Sequence, residues 1–210
     1  MILTLLLLFA QSGLDLPPLG FFPARDGKVY PLYGMHGNLM IGAPLEDGVT
    51  AAVRINGIIV RKTAAGIGVG DQLLDREWLR ESRILLMGEQ GERAGWIAGA
   101  QALLTWSGSR LRLATQSEGQ WEIVELDGAT LRELSREPVA GDAVAVDSSG
   151  RTWVASGNSV GCGDRAWEMD SPVQSLFALG EGWMLIRVSG RLFAAQCKAP
   201  DLTMVPEPEP

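Results

Sequence analysis

The stretch "VAVDSSGRTWVAS", Val144–Ser156, reads as a strand, a tight turn at Ser148-Ser149-Gly150 and a second strand. In Ala143-Val144-Ala145-Val146 the odd and the even positions are both apolar. Side chains alternate across a strand, so such a strand buries both of its faces. Ala51-Ala52-Val53, Leu103-Leu104 and Leu176-Phe177-Ala178-Leu179 share the pattern. A two-layer sandwich gives each strand one apolar and one solvated face. Strands apolar on both sides need a covering layer on each, and with few helical patterns in the chain those layers must be other sheets. Arg110-Leu111-Arg112-Leu113, and Trp121-Glu122-Ile123 with Glu125, are more one-sided and suit strands nearer a rim.

Turn signals recur on both sides of this hairpin. Asn56-Gly57 in "TAAVRINGIIVRK" is among the strongest short-range hairpin signals. Ser107-Gly108, Asp127-Gly128, Gly180–Gly182 and Ser189-Gly190 punctuate later apolar runs, in a sequence with 26 glycines. The spacing predicts an all-β chain. Residues 71–87, "DQLLDREWLRESRILLM", fit either an amphipathic helix with Leu74, Trp78 and Leu79 near one face, or two strands. Small antiparallel sheets stacked face to face, double-sided inside and half-polar outside, describe a β-propeller-like fold. At about 40–45 residues per blade, the chain is expected to hold about four short blades in a closed or incomplete ring. A β-sandwich is the alternative.

Asp147-Ser148-Ser149-Gly150-Arg151-Thr152-Trp153-Val154-Ala155-Ser156 resembles the regulator-type propeller repeat of bacterial two-component sensor domains and related exported proteins. The motif of that family runs D-x-x-G-x-x-W followed by one apolar and two small residues. The resemblance covers about a dozen residues and implies structural-turn roles. Asp147 would tie the turn through its side chain, Gly150 would take a positive φ, and Trp153 would wedge between blades. Elsewhere only fragments match, such as Gly180-Glu181-Gly182-Trp183. The Asp-box of sialidase-like propellers, S-x-D-x-G-x-T-W, shares the Gly-x-Thr-Trp half, but Asp147 stands three residues before the glycine rather than two. Asp-boxes are structural turns, so neither likeness implies catalysis.

The ends divide the chain further. Ile2–Ala10 is an apolar run too short for a bilayer and suited to a signal-peptide core, with Ala10-Gln11-Ser12 as the cleavage site. No Lys or Arg precedes it, and a buried N-terminal strand is the alternative reading. The expected organisation is a signal peptide at 1–12, a lead-in at 13–27, the propeller-like domain at 28–198 and a disordered Pro/Glu tail at 199–210. Secretion or residence in the periplasm follows. In that setting Cys162 and Cys197 read as a disulfide closing a loop of about 35 residues, or else as two buried thiols.

A net charge of −7, with both signs scattered, leaves no basic face for nucleic acid, and no later run is apolar enough for a membrane span. The single histidine, His36 between glycines, leaves no histidine-based metal site. "GIGVGD", residues 66–71, has G-x-G-x-G spacing rather than that of a nucleotide-binding loop. Neither a cofactor nor a metal is expected. Paired carboxylates could serve a propeller glycosidase, and Glu46/Asp47, Asp71/Asp75 and Glu168/Asp170 are the candidates. A chain with 25 acidic residues shows such neighbours by chance, and no residue is assigned a catalytic role. Of seven tryptophans, Trp167 in the polar stretch "CGDRAWEMDS" is the one expected to be exposed for binding. The reading is therefore an exported, non-catalytic module that binds a protein or glycan surface or serves as a scaffold. A carbohydrate-active hydrolase is the alternative.

Overall fold

The computed structural model describes residues 17–35, 37–55, 58–69, 72–74, 84–87, 93–97, 102–106, 108–206 and 208. Among them the chain is all β, with one 3-10 turn at Gly180–Gly182 and no α-helix. The strands form six small antiparallel sheets, each a simple meander in chain order. The first contains β1 (Gly20–Pro23), β2 (Val29–Met35) and β3 (Asn38–Ile41); the second β4 (Val49–Ile55), β5 (Ile58–Thr63), β6 (Ile67–Val69) and β7 (Gln72–Leu74). The third has β8 (Ile84–Met87), β9 (Arg93–Ile97) and β10 (Ala102–Trp106), and the fourth β11 (Arg110–Ser117), β12 (Gln120–Asp127) and β13 (Glu133–Val139). The fifth has β14 (Ala143–Val146), β15 (Thr152–Ser156), β16 (Ser159–Cys162) and β17 (Arg165–Glu168). The sixth has β18 (Val173–Ala178), β19 (Trp183–Val188), β20 (Arg191–Gln196) and β21 (Thr203–Val205).

Six sheets replace the expected count of about four. The estimate used the long repeat of well-known propellers. Here strands of three to eight residues joined by tight turns complete a meander in roughly 30 residues. The tail is a second correction. Residues 199–210 include β21, which pairs with β20 through Leu192↔Val205 and Ala194↔Thr203, and Val205 is buried. Leu202-Thr203-Met204-Val205 is a short alternating apolar segment; the Pro-Glu repeat begins only after it. In the 71–87 region, Gln72–Leu74 and Ile84–Met87 are strands, while residues 75–83, including Trp78, lie outside the described residues. So do residues 1–12, His36, Asn56-Gly57 and Asp71.

Consecutive sheets share buried side chains. Val29 of β2 packs with Val49 and Ala52 of β4, Ile55 and Val60 with Ala94 of β9, and Trp106 of β10 with Leu111 and Leu113 of β11. Between the fourth and fifth sheets the ties are polar: Arg112 Nη1 donates to Gly150 O at 2.8 Å, and Trp121 Nε1 to Asp142 O at 3.3 Å. Trp153, Ala155 and Val160 of the fifth sheet pack on Met184, Ile186 and Val188 of the sixth. The last sheet also meets the first. Phe22, Leu32 and Leu39 share a cluster with Leu179, Trp183, Leu185 and Leu192, and Gly180 N donates to Leu19 O. A Cβ on Gly20 would stand 2.8 Å from Leu179 Cδ2 and 3.1 Å from Leu179 Cα, so the two sheets approach closely at this junction. Among the strands whose burial is described throughout, β19, "WMLIRV", is the most deeply buried, with five of six residues buried. Its two-sided apolar character matches a strand sandwiched on both faces.

Surface carboxylates fasten turns and edges. Asp127 Oδ1 accepts from Thr130 Oγ1 and Thr130 N, both at 2.8 Å, and from Ala129 N at 3.1 Å, which holds its carboxyl below the usual range. The Tyr30 hydroxyl and the Lys28 amide do the same for Asp26, Arg136 for Glu133, and Arg191 for Asp170. Each of these groups binds its proton more weakly in the folded chain than in the unfolded one. The stability they contribute is present above the unfolded carboxylate pKa and is lost as pH falls through the folded values. Urea midpoints are expected to stay level from pH 7 to about 5 and to drop below about pH 4. A titration of urea unfolding against pH measures this, and a midpoint that rises on acidification would contradict it.

Candidate functional site

A cavity of about 1080 Å³ opens where strands from all six sheets come together. It is lined by β1, by Thr50–Arg54 of β4, by Leu104–Trp106 of β10 and by Arg110–Arg112 of β11. Val146–Gly150 and Phe177–Gly180 complete it. Parts of the segments that read as apolar on both faces border this space, but so does Arg110–Arg112 of β11, whose one-sided pattern suggests a rim position: it is the first strand of its sheet and faces the cavity.

The turn after β14 is built from its own carboxylate. Asp147 is 4% exposed and carries three hydrogen bonds. Its Oδ1 accepts from Ser149 N at 2.8 Å and Arg151 N at 3.0 Å, and its Oδ2 from Trp153 Nε1 at 3.0 Å. These donors compensate the cost of burying the group. Gly150 has φ +78°, a conformation that favours glycine, and its amide donates to Asp147 O at 2.9 Å. Ser148 Oγ accepts from Gly182 N at 2.8 Å, tying this turn to the sixth sheet. Asp147 and Gly150 therefore line the cavity, and Trp153 anchors their turn from the buried side.

Trp167 is not an exposed binding residue. It is 7% exposed, stacks on Trp153 at 5.2 Å with an 8° interplanar angle, and donates from Nε1 to Pro200 O at 2.8 Å. Its neighbours in sequence are polar because β17 is an edge strand. The indole itself faces inward, and the returning segment after β20 covers it. Cys162 and Cys197 are joined as a disulfide, with Cα atoms 5.6 Å apart.

The carboxylate pairs singled out in the sequence are dispersed. Glu46 pairs with Arg61, Asp47 with Lys28 at 3.4 Å, and Asp170 with Arg191, all away from the cavity lining. Glu168 is exposed on the edge strand β17, and Asp71 lies outside the described residues, as does Asp75. Among the described residues, Glu125 and Asp147 are the carboxylates that line the cavity. Glu125 is paired with Arg110, and both Asp147 oxygens are occupied. The described residues contain no group of three or more His, Cys, Asp or Glu placed to hold a metal ion.

Sequence reasoning missed the cavity's basic side chains: Arg54, Arg110 and Arg112. A signal existed. Arg54 interrupts the apolar run of β4, and Arg110 and Arg112 alternate with buried Leu111 and Leu113. Arginines on one face of a strand whose other face is buried mark a solvated surface.

What these features define is an all-β chain of small antiparallel sheets meeting around a polar-rimmed cavity. No family model matches the chain, and no curated protein matches it. Among solved structures, the extracellular domain of a one-component system from B. thetaiotaomicron is similar over 88% of this chain, at 8% identity and a TM-score of 0.28. The match spans 28% of that longer chain.

Proposed function

We propose that the six sheets are blades of a propeller-like ring around the cavity, and that the chain is an exported, non-catalytic binding module. Buried clusters shared by neighbouring sheets, the sixth and the first included, support the ring, with hydrogen bonds in their place between the fourth and the fifth. The turn at Asp147–Trp153 supports the likeness to regulator-type propeller repeats, since its tryptophan lies between the fifth and sixth sheets. The disulfide supports an oxidising compartment, secreted or periplasmic. In this reading residues 1–12 are the leader, and N-terminal sequencing of the exported chain is expected to begin at Gly13. An intact Met1 would contradict export. Among the described residues no helix is long and apolar enough to cross a membrane.

One observation carries the non-catalytic reading: both carboxylates of the cavity are committed to structural partners. A glycosidase needs one carboxylic acid kept protonated beside a second that acts as base or nucleophile. Here Arg110 donates to Glu125, and Asp147 accepts from three N–H donors. The test is paired thermal-shift and hydrolysis measurements on a panel of neutral and acidic oligosaccharides. The expected result is a rise in Tm with some members and no release of reducing ends. Hydrolysis that disappears in Glu125→Gln would overturn the reading.

A further inference from the structure

We propose that the cavity takes a small organic carboxylate, with Arg54 as its primary anchor; this rests on the reading of the cavity as a binding site. The whole chain carries a net charge of −7. Among the described residues the cavity lining reverses that sign, with three arginines against the two carboxylates of Glu125 and Asp147. A basic recess in an acidic protein concentrates anions at that one place.

The three arginines are not equivalent. Arg110 is spent on Glu125. Arg112 is held by Gly150 O at 2.8 Å and by Thr152 Oγ1 at 3.5 Å, which fixes its guanidinium against the fifth sheet. Arg54 is exposed on β4, and its side chain makes no hydrogen bond or ion pair among the described residues. A guanidinium presents a planar fork of donors that matches a carboxylate with two parallel hydrogen bonds. Thr105 and Ser149 line the same space and offer neutral donors. The volume, about 1080 Å³, suits a ligand of small-molecule size. A carboxylate of this size could belong to an acidic sugar or to a free polycarboxylic acid, and the probes below separate the two.

Calorimetric titration of the oxidised full chain with trigalacturonate, citrate, maltotriose and inorganic phosphate tests the proposal. Trigalacturonate or citrate is expected to bind, and whichever binds identifies the source. Raising NaCl from about 50 to 300 mM is expected to weaken that binding several-fold. Arg54→Ala should weaken it by about tenfold or more, Arg54→Lys by less, and Arg165→Ala on the outer edge of the fifth sheet not at all. Unchanged circular dichroism and Tm in Arg54→Ala show that folding is intact. Equal affinity for maltotriose or phosphate, or no effect of Arg54→Ala, would overturn the carboxylate assignment and leave the binding module standing. Failure of all four probes to bind at millimolar concentration would remove both.

Discussion

Trp153→Ala is expected to destabilise the fold by about 3–5 kcal/mol, lowering Tm by roughly 10 °C. The side chain is fully buried between the fifth and sixth sheets, against Met184, Ile186 and Val188. Truncation opens a cavity there, removes the stack on Trp167 and strips Asp147 Oδ2 of its donor. A buried carboxylate deprived of a partner adds to the cost of the void. Trp153→Phe keeps one aromatic ring and loses the N–H with the rest of the indole, so a smaller loss of about 1–3 kcal/mol is expected. Urea unfolding followed by fluorescence of the remaining tryptophans measures both. A loss under about 1 kcal/mol for Trp153→Ala would mean that this junction is not tightly packed.

Removal of the disulfide is the second large effect. Cys162 ends β16 and Cys197 follows β20, so the bond clamps the fifth sheet to the sixth and closes a separation of 35 residues. In the chain-entropy picture, a loop of that length restrains the unfolded chain by about 4 kcal/mol. The Cys162→Ala/Cys197→Ala chain, or the reduced wild type, should therefore unfold at a markedly lower urea concentration, by about 2–4 kcal/mol. Coincident unfolding curves for oxidised and reduced protein would contradict the bond's role. The bond also secures the segment that follows it: Pro200 caps Trp167, and Leu202 packs into the same core. Reduction is accordingly expected to release β21 first, visible as fast amide exchange at Thr203–Val205.

The fold class was legible because Gly, Asn, Asp and Ser punctuate apolar runs at short intervals, and because two-sided runs such as Ala143–Val146 demand cover on both faces. The number of sheets was not legible, since motif-bearing turns announce only some of them. β13, "ELSREPV", is exposed at every residue but Val139 and carries no apolar alternation, so nothing in its residues marks it as a strand. It forms because β12 offers it a paired edge. The tail was misread for the complementary reason: the conspicuous Pro-Glu repeat masks the short apolar segment before it. Trp167 was misjudged because local polarity describes the strand's edge position, not the direction of one indole. The site was less legible still. Arg54, Arg110 and Arg112 come from two sheets, and only tertiary packing brings them to one cavity.

The proposed ring depends on the sixth sheet packing against the first, because that junction would close a row of sheets around the cavity. Nuclear Overhauser contacts between the Gly20 α-protons and the Leu179 methyl groups report on it directly, since a Cβ on Gly20 would lie 2.8 Å from Leu179 Cδ2. A ring predicts strong cross-peaks there, alongside the ladder contacts within each sheet. Intact ladder contacts with no cross-peak between Gly20 and Leu179 would show an open row and contradict it.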